Sequence, residues 1–182
     1  MNKNDFQSRP HGVDLAAGLK TAMRRMPASV ALITTYDPAE DRPAGLAATT
    51  VIPVSMEPPS MLVAVNRAAS AHSALKRAGR YCVNLLDSRQ AAIVASFSSS
   101  EMREKRFESH EWSFADKLPY LPHACANIFC EIRDSVAFGT HELFIGEVFD
   151  VLTNGSEEAR PLGWFDGTFA QLEPLARAAG AA

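Results

Sequence analysis

The sequence predicts a mainly β protein with helices inserted between its strands, an antiparallel barrel with helical decoration. Three observations carry that prediction. Runs rich in β-branched and aromatic residues, such as 29–37 (SVALITTYD) and 81–86 (YCVNLL), are short enough to be strands. Two long strand-like runs, 124–138 and 142–153, are joined by Gly139-Thr140-His141, as in a hairpin. The helical stretches fall irregularly between strands instead of alternating with them, which argues against a doubly wound parallel sheet. With 182 residues, no internal repeat and no linker, the chain reads as one domain over 1–182.

Taken in order, Asp14 caps a helix whose apolar positions Leu15, Leu19, Ala22, Met23 and Met26 recur at helical spacing until Pro27 ends it. That stripe is expected to lie on the barrel. Residues 29–37 form a strand and 38–43 a polar turn. Residues 44–55 (AGLAATTVIPVS) read as a second strand, irregular because Pro53 lacks a ladder donor. Pro58 and Pro59 punctuate it, and 61–66 (MLVAVN) is a short buried strand.

Residues 70–79 are predicted helical, with Ser70 as cap and Gly79 as stop. After the strand at 81–86, Asp87 and Gln90 have the spacing of a capping box for a helix through Ala92, Ile93 and Phe97. A more charged helix is predicted over about 99–108, and a loop over 118–122. In 142–153, Leu143, Ile145, Phe149 and Val151 share one parity while Phe144, Val148 and Leu152 share the other. Both faces are therefore expected to be covered. Asn154-Gly155 and Asp166-Gly167 are tight-turn pairs.

Composition narrows the functional classes. The chain is 47% hydrophobic and 21% charged, enough for a sizeable core without metal or disulfide. A formal charge of -3 gives no reason to expect nucleic acid or an anionic membrane as partner, so any anion site is local. No apolar stretch approaches the roughly 20 residues that cross a bilayer. Residues 1–14 are polar without an apolar signal core, and the expectation is a cytoplasmic protein. Cys82, Cys125 and Cys130 form no CxxC pair and read as reduced, mostly buried thiols. A zinc site from His123, Cys125 and Cys130 lacks a fourth ligand at metal-site spacing, so no metal is expected.

The chemistry is carried by combinations rather than single residues. No GxGxxG or Walker motif follows a strand, so a dinucleotide would not be held in the Rossmann manner. GxSxG is absent too, which removes the usual hydrolase signature. Ala48-Thr49-Thr50, on the strand that bends at Pro53 and ends at Ser55, offers hydroxyls and backbone groups suited to the rim of a planar heterocycle; ordinary strand threonines are the alternative. Residues 66–73 (NRAASAHS) run from a strand end into a helix start, where free N–H groups attract anions. Arg67, Ser70 and His72 add donors there. A capped helix with a solvated Arg reads equally well, and taken alone His72 and His141 read first as a helix-face and a turn histidine.

On these residues the chain resembles the flavin reductase-like family of FMN-binding split barrels, over about 26–171. The landmarks are 31–35 (ALITT), 48–55 closed by Pro58-Pro59, and Val65-Asn66-Arg67. They continue with 83–86 (VNLL) and Gln90, Arg106-Phe107, and Gly139-Thr140-His141 leading into 144–148 (FIGEV). Their order and spacing, rather than any one of them, carry the likeness.

The resemblance implies an antiparallel Greek-key split β-barrel. It also implies an NAD(P)H:flavin oxidoreductase that reduces FMN or FAD with NADH or NADPH and supplies reduced flavin to a partner monooxygenase. A homodimer with flavin near the subunit interface is implied as well. The flavin ring would lie along Ala48, Thr49, Thr50 and Ser55, and its phosphate around Asn66, Arg67, Ser70 and His72. Arg106 and Phe107 are further cofactor-binding candidates, and His141 would sit beside the nicotinamide. Relatives usually have Gly-Asp-His where this chain has Gly-Thr-His, which leaves the orientation of His141 and the choice of nicotinamide open. Two other readings fit the same residues: tightly held FMN passing electrons to another acceptor, and a non-catalytic flavin-binding protein.

Overall fold

The computed structural model describes residues 14–99, 101–109, 111–155 and 159–173. After α1 (Leu15–Met23) come β1 (Ala28–Ser29), β2 (Ala31–Asp37), β3 (Arg42–Ala48), β4 (Val51–Met56) and β5 (Pro59–Asn66). Next are α2 (His72–Ala78), β6 (Arg80–Leu85), and a 3-10 turn (Ser88–Ile93) running into α3 (Val94–Ser98). The chain continues through β7 (Ser113–Ala115), β8 (Leu118–Tyr120), β9 (Ala126–Phe138), β10 (His141–Thr153), β11 (Leu162–Phe165) and β12 (Thr168–Gln171).

Seven strands form one antiparallel sheet in the order β3-β2-β6-β9-β10-β5-β4. Its two edge strands, β3 and β4, are joined only by Thr49-Thr50, so the sheet must curl until its edges approach. Thr50 accepts a bond from Ala64 N at 3.2 Å, which fixes the junction against β5. β1, β11 and β12 form a second, three-stranded sheet beside this seam.

The curled sheet encloses Ile33, Val63, Val65, Leu75, Tyr81, Val83 and Phe144, and α3 closes a second cluster around Leu32, Leu86, Phe97, Trp112 and Leu162. Gly146 is required here: a Cβ on it would stand 2.5 Å from the Tyr81 hydroxyl and 2.8 Å from Cys130 Cβ. Buried Asn84 donates to Leu32 O and Thr34 Oγ1 at 3.0 Å each, and accepts from Leu121 N at 2.8 Å and Asn127 Nδ2 at 3.0 Å. All its hydrogen-bonding capacity is spent on tying β2, β6, β9 and the 121 turn together.

Several expectations hold and several change. The capping box forms: Asp87 N donates to Gln90 Oε1 and the Asp87 carboxylate accepts from Arg89 N. Asp166-Gly167 makes the β11–β12 turn with both residues at positive φ. Cys82 and Cys130 are buried free thiols, and Cys125 is a half-buried one. Residues 44–55, by contrast, are two strands broken at Thr49-Thr50, with the ladder irregular beside Pro53 as expected.

Ser70 does not cap α2; the helix starts at His72 with no side-chain cap. The helix expected over 99–108 shrinks to a 3-10 turn at Arg103–Lys105, because the Arg106 guanidinium draws in the carbonyls of Ser96, Ser99 and Gly45. Residues 118–120 form a strand, since Asp116 and Lys117 adopt positive φ and turn β7 back onto β8. Irregularities at Ile145/Gly146 and Val148/Asp150 break the parity in β10, leaving Phe149, Val151 and Leu152 exposed. α1 forms behind its Asp14 cap but ends at Met23, leaving Met26 beyond it, and none of its residues is buried.

Candidate active site

The seam between the sheet edges is where the surface opens. A cavity of about 520 Å³ runs along Ala47, Ala48 and Thr49, walled by α3 at Val94 and Ala95 and by Trp164 and Phe169. A second, of about 530 Å³, lies between α1 (Lys20, Met23) and residues 49–52, again with Trp164. The two meet at Thr49 and Trp164. Their size and mostly apolar lining suit a drug-sized ring system, with the Thr49 and Thr50 hydroxyls as its polar rim. Ser55 is not part of this opening. Its Oγ is engaged with Glu57 at the other end of β4, donating to Glu57 O and accepting from Glu57 N at 3.0 Å each.

The residues singled out for a phosphate separate into three places. Asn66 and Arg67 go to the tip of the β9–β10 hairpin: Arg67 N donates to Thr140 O at 2.9 Å, and Asn66 Oδ1 accepts from Ala68 N. The Arg67 side chain is exposed there. Ser70 turns instead into a small cleft with Arg42, Arg103, Arg106 and Phe107. There Arg106 Nη1 donates to Gly45 O at 2.9 Å and reaches Ser70 Oγ at 3.4 Å. Burial, and then neighbouring Arg103, lower the pKa of the Arg106 guanidinium. Phe107 packs against Phe97 and Trp112.

His72 lies inside the fold, with Nε2 2.7 Å from Glu142 Oε2. Glu142 also accepts from Lys76 Nζ at 3.0 Å and Ser135 Oγ at 2.9 Å. The Lys76 bond first, then Ser135, hold the Glu142 carboxyl down at about 2 against the penalty of burial. This carboxylate joins α2 to both strands of the hairpin. His141, the next residue along, is exposed, with Nδ1 2.9 Å from Thr140 Oγ1. The ladder pairs His141 with Asn66 on β5 and Phe138 on β9, so all three project from the outer face.

A family model described as "Flavin reductase like domain" matches residues 23–173, which contain the seam, the Ser70 cleft and the hairpin that carries His141. The chain belongs to that family.

The reductase is 37% identical over 166 residues to the reductase component of an FADH(2)-dependent resorcinol hydroxylase from Rhizobium sp. (strain MTP-10005), covering 91% of this chain and 90% of the relative. It is also 37% identical over 141 residues to an FMN reductase (NADH), RutF, of Agrobacterium fabrum, covering 77% and 80%. Among solved structures, a nitrilotriacetate monooxygenase component B homolog from Mycobacterium thermoresistibile superposes with a TM-score of 0.80 at 26% identity, covering 92% and 93%. The fold is the split barrel of these reductases, and the protein is an NAD(P)H-dependent flavin reductase; relatives are named for NADH and for NADPH.

Three residues at or near the candidate site escape a reading by motif. Trp164 and Phe169 reach the seam from the last hairpin, and the signal for them was present: aromatic residues on both sides of Asp166-Gly167. Glu142 left no such signal, because a Glu after a turn histidine looks like a solvated strand end until α2 is packed over it. No helix of the described residues is long and apolar enough to cross a membrane.

Proposed function

We propose that this reductase takes hydride from NADH or NADPH onto FMN or FAD held along Ala48, Thr49 and Thr50, and that it delivers the reduced flavin to a partner monooxygenase. The observation that carries the reading is the pair of apolar cavities meeting at Thr49 on the open seam of the barrel. The flavin itself supplies the hydride-accepting chemistry. The chain's own part is binding, orientation and exclusion of water. Backbone and hydroxyl groups at Thr49 and Thr50 would hold the polar rim of the ring. Ser70, with the arginines of its cleft, and Arg67 at the hairpin tip offer two anchors for phosphate. His141, held at the start of β10, would position the nicotinamide.

The open seam supports flavin as an exchanging substrate rather than a sealed cofactor. Similarity to the resorcinol hydroxylase reductase component along nearly its full length supports a partner oxygenase. A homodimer belongs to the same proposal. On the outer sheet face the register sets Ile52, Leu62, Ile145 and Asp134 in one row and Ala64, Leu143 and Val136 in the next, followed by Asn66, His141 and Phe138. Phe138 is 78% exposed and Ile52 52%. Ile52 also lines the α1 cavity, so this apolar face is continuous with the exposed Leu15, Leu19, Met23 and Met26 of the α1 region. A second copy seated here would bring His141 into a closed site and cover the patch.

The direct test mixes purified protein with each flavin and each reduced nicotinamide and follows the nicotinamide absorbance. Rapid oxidation that depends on added flavin is expected; flavin binding with no oxidation from any pair would replace the reductase reading with storage or carriage. In His141→Ala, turnover per nicotinamide (kcat/KM) should fall roughly tenfold or more, while flavin affinity stays within about twofold. Equal losses in both would remove His141 from the nicotinamide side.

A further inference from the structure

We infer that Trp164 is an aromatic wall for the flavin ring, stacking on it from the last hairpin. The inference rests on the flavin site proposed along residues 48–50. The two cavities share only Thr49 and Trp164, so a planar ring seated on either side of Thr49 borders the indole. No other aromatic side chain lines both.

The indole is also held in place before any ligand arrives. Trp164 pairs with Ala28 across β1 and β11. Phe169 packs edge-on against it, with centroids 5.3 Å apart at 76°. The turn beyond it is tied to α1, where Arg24 Nε donates to Asp166 Oδ1 at 2.8 Å and Asp166 N donates to Arg24 O at 2.9 Å. Yet Trp164 remains 38% exposed, and among the described residues its N–H has no acceptor.

Trp112 shows what a packing tryptophan looks like in the same molecule. It is 8% exposed, sits between Phe97 and Phe107, and donates from Nε1 to Arg106 O at 3.1 Å. An ordered, half-open, electron-rich ring beside an apolar cavity fits offset stacking on an electron-poor heterocycle. Such a contact reads the ring and is blind to the phosphate and adenosine, so it serves riboflavin, FMN and FAD alike.

The test titrates riboflavin and FMN into the wild-type protein, Trp164→Phe and Trp164→Leu, recording dissociation constants and the visible spectrum of the bound flavin. The Leu variant, which fills space without a π face, should weaken both flavins by the same factor, roughly tenfold. It should also lose the long-wavelength shoulder that ring stacking gives. The Phe variant should keep binding within about threefold and retain part of the shoulder. Should Leu and Phe bind both flavins as the wild type does, with unchanged spectra, the wall is misassigned while the flavin site stands. If the wild type binds neither flavin, the proposed site falls and the wall with it. Unequal losses for riboflavin and FMN would show Trp164 acting through the phosphate end and overturn the stacking role.

Discussion

The two helices that flank the site are held in opposite ways. α2 has seven residues, and His72, Ala74 and Leu75 are buried against the sheet, with the buried Glu142 carboxylate pinning His72 and Lys76. α1 has nine residues and a better cap, Asp14 accepting from Ala16 N and Ala17 N, yet buries none of them. Its fixed point is the Arg24–Asp166 pair, both side chains more than half exposed. Local sequence quality therefore does not decide which helix is secure; tertiary burial does. The helix completed within one chain supports the hairpin that carries His141. The unfinished one leaves an apolar stripe beside the cavity proposed for flavin, and that is the surface a second copy would complete.

The strongest way to break this contrast is to remove Glu142. Glu142→Ala leaves His72 buried opposite nothing and frees both strands of the hairpin from α2. It should cost about 3 kcal/mol in denaturant unfolding. A loss below about 1 kcal/mol would mean that apolar packing alone secures α2. Acid titration sharpens the same point. Because the folded pKa of Glu142 is depressed to about 2 from an ordinary value near 4.5, its contribution is complete above about pH 4.5 and lost as pH falls through 2. Glu142→Gln should therefore unfold with a shallower dependence across that window, the slope that remains coming from the other carboxylates with lowered pKa values, Asp87, Asp37, Asp41 and Glu104 among them.

Much of this was legible in the residues, and the misses share a cause. The strand expected over 29–37, which forms as β2 from Ala31 after a break at Val30, the Asp87 capping box and the Asp166-Gly167 turn are written in local patterns. So is the β9–β10 hairpin, although its bulges are not, since a bulge depends on what the opposing strand leaves unfilled. Arg106 and Ser70 mark the limit. As a helix-region arginine and a helix cap they read plausibly, but long-range contact puts them together, Arg106 gathering carbonyls from Gly45, Ser96 and Ser99. Family resemblance pointed to Ala48, Thr49 and Thr50, and the structure has cavities along them. It gave no pointer to Trp164, because the walls of a cavity between distant segments have no spacing in sequence.

A middle-sized effect is expected from the helix left unfinished. Leu19 and Met23 are 61% and 55% exposed, so Leu19→Glu with Met23→Glu should leave the unfolding midpoint of the isolated subunit nearly unchanged. Its effect belongs to association. Sedimentation should show the wild type as a dimer and the double variant with a dimer dissociation constant raised roughly a hundredfold. Flavin affinity should fall in step, since Met23 lines the cavity of about 530 Å³. A wild-type monomer, or a variant as dimeric as its parent, would move the partner surface elsewhere.

The smallest effect separates the two helices most cleanly. Arg24→Ala removes two charge-assisted bonds at the end of α1, to Asp166 Oδ1 and Asp166 O at 2.8 Å each, where Glu142→Ala removes two from α2, to His72 and Lys76, and one from Ser135 on β9. Similar chemistry is lost at similar distances. The difference lies in the surroundings: Arg24 and Asp166 are 60% and 63% exposed, whereas the Glu142 side chain is 5% exposed. Water can replace the partner of an exposed charge and salt screens it, so Arg24→Ala should cost less than about 1 kcal/mol and depend on ionic strength. The Glu142 loss should be several times larger and less dependent on salt, because His72, 11% exposed, is left without its partner where water scarcely reaches, although Lys76 is solvated. If the two variants cost the same, the Arg24 pair is a true anchor and α1 is as finished as α2. If they differ as expected, α1 is held at one end only, and its apolar face is set for a partner rather than for its own core.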